Sequence, residues 1–222
     1  MLLFCGDFHG DIRRFYKLNK TYPSLSEDDC LIVCGDFGFL FRNDRSENVW
    51  LDDLSTQPYN ICFVDGNHEN FNAINSYPVE EWCGGKVHKI RANIIHLMRG
   101  QVFNISGKNI FTMGGAYSID RYVRRLNESY WEEEIPNDFE YKEATINLKK
   151  TNYKVDYIVT HTAPRELIYK MGYYPDPHDM ELTGFLEWIY HEVSFNEWFF
   201  GHWHEDIDFN NMHALFFRVL TR

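Results

Sequence analysis

The sequence is short of most features that would place it outside the globular enzymes. Its 222 residues include five cysteines, an odd number with no CxxC pair among them. Paired cysteines are the mark of secreted disulfide scaffolds and of thiolate zinc sites, so both are disfavoured. Cys5, Cys34 and Cys62 fall in apolar runs and read as small buried hydrophobes in a reducing compartment. No apolar run approaches the roughly 20 residues that span a bilayer. The opening MLLFCGDFHG meets an acid at Asp7. That leaves no room for a basic start followed by a signal-peptide core, and a cytoplasmic location is expected. Basic surplus is also absent. Against 22 Lys and Arg stand 33 Asp and Glu, a formal net charge of -11. Such a chain does not coat nucleic acid by general phosphate attraction, so any polyanion it handles must be held by local cations or by metal. Repeats, low-complexity tracts and Pro/Gly/Ser linkers are missing too, so residues 1–222 are expected to form one domain.

What is present is a series of short apolar runs ending in small or acidic residues. Leu2–Cys5 leads into Gly6-Asp7, Leu31–Cys34 into Gly35-Asp36, and Ile61–Val64 into Asp65-Gly66-Asn67. Each run is continuous rather than alternating, which predicts strands buried on both faces. Helical stretches lie between them, at Ile12–Lys20 and Asn48–Ser55. That is β-α-β order with a partly parallel sheet. From Lys86 to Gly115 the pattern changes to short runs, Val87–Ile90, Ile94–Leu97, Val102–Ile105 and Ile110–Met113, with a hairpin connection expected at Gly107-Lys108-Asn109. This predicts an antiparallel second part of the core. Tyr157–Thr160 and Glu197–Phe200 read as further strands, Ala214–Val219 as a late strand, Met180–His191 as a helix, and Trp131–Lys150 as helical or partly ordered. Two β layers flanked by helices is the natural sum.

Chemistry-bearing residues sit just past the strand ends. They are Asp7 and His9, then Asp36, then Asn67, His68 and Glu69, then His161, then His202 and His204. Open sheets place ligands outside the carboxyl ends of their strands, so five ends can meet at one place. Singly, each residue has a plain structural reading. Asp7 is a possible helix N-cap, Asp36 a turn residue, His161 a satisfied core histidine, and His202 and His204 two faces of a strand. Jointly those readings fail, because every one of these residues ends a glycine-punctuated buried run. The donors are oxygen and imidazole with no thiolate, a set suited to Mn²⁺, Fe or Zn²⁺ in an open site.

The ordered motifs Gly6-Asp7-Phe8-His9-Gly10, Gly35-Asp36, Gly66-Asn67-His68-Glu69, Thr160-His161 and Gly201-His202-Trp203-His204 resemble the calcineurin-like metallophosphoesterase superfamily, and they span residues 6 to 204. The resemblance, to small bacterial and phage-type members in particular, implies an α/β fold. Its form would be a four-layer α/β/β/α sandwich with two mixed sheets. It implies two divalent metal ions, Mn²⁺ first, with Fe, Zn²⁺ and Ni²⁺ as alternatives. By the same resemblance Asp7, His9 and His204 bind one ion, Asn67, His161 and His202 the other, and Asp36 bridges them. The implied activity is hydrolysis of a phosphomonoester or phosphodiester by a hydroxide shared between cations about 3.5–4 Å apart. His68, beside a ligand but not one itself, protonates the leaving oxygen or steadies the phosphoryl charge. The expected partner is a small phosphorylated substrate, a nucleotide or a phosphodiester, with no membrane involved.

The protein Ser/Thr phosphatase branch carries GDxxDRG at its second motif. Here Phe39 and Leu40 occupy the second aspartate and arginine positions. The usual grip on phosphate and the usual partner of the catalytic histidine are therefore missing, which disfavours protein phosphatase specificity. Substitute cations are Arg42 and the group after Gly114-Gly115, where Arg121 and Arg124 would share one face if helical. Pairing with Glu132–Glu134 is the competing reading of that group. The competing reading of the whole chain is a metal-binding scaffold that has lost catalysis and serves as an interaction module. His68 together with a complete ligand set distinguishes the enzyme.

Overall fold

The computed structural model describes residues 1–222. The first half builds one sheet and its helices. In chain order these are β1 (Leu2–Cys5), α1 (Ile12–Thr21), β2 (Cys30–Val33), α2 (Arg45–Leu54), β3 (Asn60–Phe63), α3 (Phe71–Ile74), β4 (Val79–Trp82), β5 (Gly85–Arg91) and β6 (Ile94–Leu97). The second half follows with β7 (Gln101–Ile105), β8 (Lys108–Met113), α4 (Asp138–Lys150), β9 (Tyr157–Thr160), α5 (Arg165–Lys170), α6 (Met180–Glu192), β10 (Glu197–Phe200), β11 (Ile207–Phe209), β12 (Met212–Ala214) and β13 (Val219–Thr221).

The strands form two mixed sheets. The first runs β13-β1-β2-β3-β6-β5-β4, with β1, β2, β3 and β6 parallel. The second runs β11-β12-β10-β9-β8-β7, with β12, β10, β9 and β8 parallel. The antiparallel pairing expected between Lys86 and Gly115 is present as β5–β6 and β7–β8, each joined to a parallel block. Only the β7–β8 hairpin and the two edges formed by β4–β5–β6 and β11–β12 are antiparallel beyond the β1–β13 pair. The hairpin turn is Ser106-Gly107, since Lys108 already pairs with Ile105.

Alternation along the buried strands explains the four layers. Leu3, Cys5, Leu31, Val33, Ile61 and Phe63 face Phe15, Leu18, Leu51, Leu54, Ala73 and Ile74 of α1–α3. Their neighbours Leu2, Phe4, Ile32, Cys62 and Val64 face Phe103, Ile110, Tyr157, Val159 and Phe199 of the second sheet. The far side of that sheet, through Phe111, Ile158, Trp198 and Phe200, packs on Leu148, Ile168, Leu182 and Leu186 of α4–α6. The result is the α/β/β/α sandwich with three separate apolar seams, each formed by period-2 burial. All five cysteines are free thiols, four of them buried.

Ala214–Val219 is not one strand. Residues 215–218 leave the second sheet at β12 and cross to the first, where β13 pairs antiparallel with β1. That crossing stitches the two sheets together beside the first motif loop.

A buried ion pair holds the third motif loop. Arg99, just past β6, donates from Nε (2.9 Å) and Nη2 (2.5 Å) to Asp65 Oδ2. It also donates to the Glu133 carbonyl at 2.7 Å, and His96 Nε2 lies 3.1 Å from Asp65 Oδ1. Burial would raise the Asp65 pKa, but Arg99 and His96 outweigh it and hold the carboxyl far below its usual range. Asp65 therefore contributes stability that is present above the unfolded carboxyl pKa, near pH 4, and is lost as pH falls below it. Arg99→Met leaves the carboxylate buried and unpaired, and is expected to cost about 3–5 kcal/mol in denaturant unfolding. Asp65→Asn added to it should recover part of that loss. A single variant as stable as wild type would show the pair to be dispensable.

Candidate metal centre

The residues singled out in the sequence lie where the carboxyl ends of β1, β2, β3, β9 and β10 meet. The loops interlock through main-chain contacts. Gly201 N–H donates to the His161 carbonyl at 2.9 Å, and Phe8 and His9 N–H both donate to the Asp36 carbonyl, at 2.9 and 2.8 Å. Space is tight enough to require glycine at two points. A Cβ on Gly66 would stand 2.1 Å from Asp36 Oδ1, and one on Gly201 would stand 2.1 Å from Asp7 Oδ1. His9, Asp36, His202 and His204 all adopt left-handed backbone, with φ of 49°, 49°, 69° and 53°. Such conformations cost energy in non-glycine residues and persist only where surroundings enforce them, typically at functional sites. His202 and His204 are consequently on a sharp loop and not on opposite faces of a strand.

The donors form two neighbouring groups that touch through Asp36. In one, His204 Nε2 lies 3.0 Å from His9 Nε2 and 3.1 Å from Asp7 Oδ2. In the other, Asn67 Oδ1 lies 3.1 Å from both His161 Nε2 and His202 Nδ1. Asp36 Oδ2 is 3.8 Å from His9 Nδ1, and its Oδ1 is 3.5 Å from His161 Nε2. Donor atoms about 3 Å apart match two ligands at right angles on one cation with bonds of roughly 2.0–2.1 Å. The orientation of the donors also fits. His161 Nδ1–H donates to the Cys34 carbonyl at 2.8 Å, which leaves Nε2 turned toward Asp36 and Asn67. Asn67 Nδ2 donates to Ser118 Oγ at 3.1 Å, which turns Oδ1 toward the two imidazoles. Ser118 belongs to the stretch Gly114-Gly115-Ala116-Tyr117-Ser118-Ile119-Asp120 that stands out in the sequence, but its contact with Asn67 is not legible there.

Charge is tightly coupled at this junction. Asp7 and Asp36 are almost fully buried. Burial pushes the Asp36 pKa up, but His161, His68 and His9 outweigh it and hold it well down. His161 is raised to about 10 because Asp36 overcomes the burial that opposes its charging. His202 is lowered to about 3 by burial and by the charge on His161. His9 is also lowered, by burial first.

His68 stands at the mouth. Its pKa is lowered by burial and by Arg124, against the pull of Asp36. Arg124 Nη2 is 3.2 Å from both ring nitrogens, so the guanidinium lies over the imidazole. Arg121 and Arg124 do not share a helix face. The segment makes one 3-10 turn at Arg121–Val123, and the side chains diverge. Arg121 donates to the buried Glu134 at 2.8 Å and lies over the Tyr117 ring. Arg124 turns to His68 and pairs with Asp120 at 2.8 Å. Arg42 lines the opposite side of the mouth and has no side-chain partner in the protein. Phe39 and Leu40 are buried in the seam under α1 and α2, so the second motif presents no polar side chain there. Two further residues support the site, Arg14 without any sequence signal and Glu69 from the third motif. Arg14 donates to the Asp7 and Phe216 carbonyls, tying the first loop to the β12–β13 crossing. Glu69, fully buried, accepts from Phe37 N–H at 2.6 Å.

The family described as calcineurin-like phosphoesterase matches residues 1–206. The lariat debranching enzyme of Schizosaccharomyces pombe is 25% identical over 168 residues, covering 74% of this chain and 32% of that protein. The chain thus spans about a third of that relative's length. The crystal structure of phosphopantetheinyl hydrolase from Mycobacterium tuberculosis is similar with a TM-score of 0.47 and 17% identity, covering 96% of this chain and 86% of that one.

In the metal-free protein the raised His161 pKa has a defined pH signature. The stability it contributes is fully present below its unfolded pKa, near 6.5, and is lost as pH rises toward about 10. Chelated protein should lose stability over that window with a slope from His161 approaching about 1.4 kcal/mol per pH unit. Thermal melts of wild type and His161→Gln, compared between pH 7 and 10, isolate that contribution. Identical pH dependence in both would remove His161 as the source.

Proposed function

Given that the chain belongs to the calcineurin-like phosphoesterase family, we propose that it hydrolyses phosphate esters at the junction of its two sheets with two divalent cations. Asp7, His9 and His204 would hold one, Asn67, His161 and His202 the other, and Asp36 would serve both. The observation that carries this reading is the pair of donor groups, each with atoms 3.0–3.1 Å apart, meeting at one buried carboxylate. Cations bound there would polarise the phosphoryl oxygens and make water a competent nucleophile at neutral pH. The mixed oxygen and imidazole donor set suits Fe, Zn²⁺ and Ni²⁺ as well as Mn²⁺, the ion proposed first.

The chain's own residues divide the remaining work. Ser118 fixes the Asn67 amide so that its oxygen points inward. Asp36 also accepts His68 N–H at 2.7 Å, so the carboxylate sets the position of the residue at the mouth. His68, its pKa lowered, is neutral at pH 7 and offers an imidazole N–H to a phosphoryl oxygen. That makes it a stabiliser of developing phosphoryl charge in preference to a general acid, which would have to be protonated. Arg124 over the ring keeps it in that state, and Arg42 is a second cation within the mouth. Arg121, held by Glu134, is left out of the proposed substrate grip.

Two variants test this reading. Asp36→Asn removes a charge that both cations would share, so metal analysis should find bound cation lost together with activity. Two ions retained per chain would sink the shared role. His68→Ala should keep its cations and lower kcat by about 10²–10³, the typical cost of deleting one preorganised hydrogen-bond donor. The loss should be similar on p-nitrophenyl and alkyl phosphates. A much larger loss on the alkyl ester would make His68 the proton donor to the leaving oxygen.

A further inference from the structure

Two cavities open on the candidate centre, and His68 lines both. They differ in size and charge. The smaller, about 350 Å³, runs between His9 and α2 and carries Arg42 and Trp50. No carboxylate lies within ion-pair distance of its guanidinium, and both oxygens of the adjacent Glu47 accept the N–H groups of Arg42 and Asn43, at 2.8 and 2.7 Å. The larger, about 560 Å³, runs past His204 and His202 to a wall of Tyr173, Tyr174 and Trp203. There the one arginine, Arg124, is paired with Asp120, while Asp176 and Asp179 add further carboxylates.

The fold uses the aromatic wall only in part: Trp203 packs against the helix-side core and the Tyr173 hydroxyl donates to Glu205 at 3.1 Å. Tyr173 stacks on Trp203 with ring centres 4.9 Å apart, yet keeps 37% of its surface exposed, and Tyr174 is 83% exposed. Ile119, also lining this cavity, is 75% exposed. Apolar groups left open around one cleft mark a binding surface more than single exposed residues do. Their setting repels a second phosphate and accepts hydrogen bonds. It fits a flat ring system with donor groups.

A phosphomonoester has one substituent and fills one cavity. A phosphodiester has two, leaving phosphorus between them, at His68 and the paired donor groups. We propose that the substrate is a phosphodiester bearing a nucleoside on one side, with that nucleoside against Tyr173 and Tyr174 and the second substituent in the Arg42–Trp50 cavity. This rests on the phosphoesterase reading above. Water adds to phosphorus, forming one P–O bond. The P–O bond to one substituent breaks, and that group leaves as an alcohol after taking up the proton. The other remains as a phosphomonoester.

The test uses full-length metal-loaded protein and three chromogenic esters: p-nitrophenyl phosphate, bis-p-nitrophenyl phosphate and thymidine 5′-p-nitrophenyl phosphate. The nucleoside diester should exceed the monoester in kcat/KM by at least about tenfold. The double variant Tyr173→Ala/Tyr174→Ala should cut that ratio about tenfold or more, because base stacking on an aromatic side chain is lost. It should also weaken calorimetric binding of thymidine 5′-monophosphate. Tyr173→Phe/Tyr174→Phe, which keeps both rings, should restore ratio and binding, and equal melting temperatures exclude misfolding. A monoester preference, or a ratio untouched by the alanine pair, overturns the proposal while leaving the phosphoesterase reading intact. No hydrolysis of any ester removes both.

Discussion

The burial of the Asp36 carboxylate sets the terms for the rest of the site. It sits at the end of a central strand with 1% of its surface exposed, and no lysine or arginine pairs with it. A lone carboxylate in such a place would take up a proton, since desolvation disfavours its charge. Here imidazoles prevent that. His161 approaches to 3.5 Å, His9 to 3.8 Å, and the main chain of His68 donates at 2.7 Å. The negative charge is retained, and the positive charge it attracts is spread over groups that can be neutral. That combination is what a cation site needs, because imidazoles give up their protons to a metal and arginines do not.

The same constraint explains the backbone. Bringing donors from five strand ends to one junction, with His161 and His9 at 3.5 and 3.8 Å from Asp36, leaves little room for ordinary turns. Four of the donor residues accept left-handed φ, and glycine is required where a Cβ would strike Asp36 or Asp7. Such strain must be offset by rigid surroundings. The rigidity comes from the two sheets, locked at their carboxyl ends by the β12–β13 crossing, by Arg14 under the first loop and by the Asp65–Arg99 pair under the third. The strained residues and the buried charges are thus one design, since neither survives without the apolar seams that hold the loops in register.

How much of this is legible in the sequence depends on the range of the interaction. Leu2–Cys5, Ile94–Leu97, Tyr157–Thr160 and Glu197–Phe200 are found as strands because burial on both faces writes a continuous apolar run. The donors are found because each closes such a run. Ala214–Val219 misleads for the same reason. It is apolar but for Arg218, a switch between sheets leaves no local mark, and only pairing shows that it breaks at Leu215. Arg121 and Arg124 mislead through spacing. Three residues apart implies one helix face, whereas Glu134, within the Glu132–Glu134 run of the competing reading, and His68, 56 residues away, draw them in different directions. Arg14 and Arg99 act through contacts up to 202 residues distant along the chain or through carbonyls, and nothing in their neighbourhood announces it; Ser118 stands in a legible stretch, but its contact with Asn67, 51 residues away, leaves no mark there.

The absence of the second aspartate and arginine from the second motif has a structural counterpart. Phe39 and Leu40 turn inward and extend the helix-side core beneath α1 and α2. Polar groups there would have to face the mouth or be buried unpaired, so packing and phosphate grip compete for the same two positions. This chain gives them to packing. The cations come instead from opposite sides of the mouth, Arg42 one step along the same loop and Arg124 from the loop after β8. Their settings are unequal, because Arg124 is shared between Asp120 and the His68 ring while Arg42 is unpaired. A clamp fixed within one motif would favour a compact dianion at a single point. Two unlike cations flanking His68 instead create a polar cleft with two different ends. That asymmetry lies in the mouth, outside the candidate metal donors.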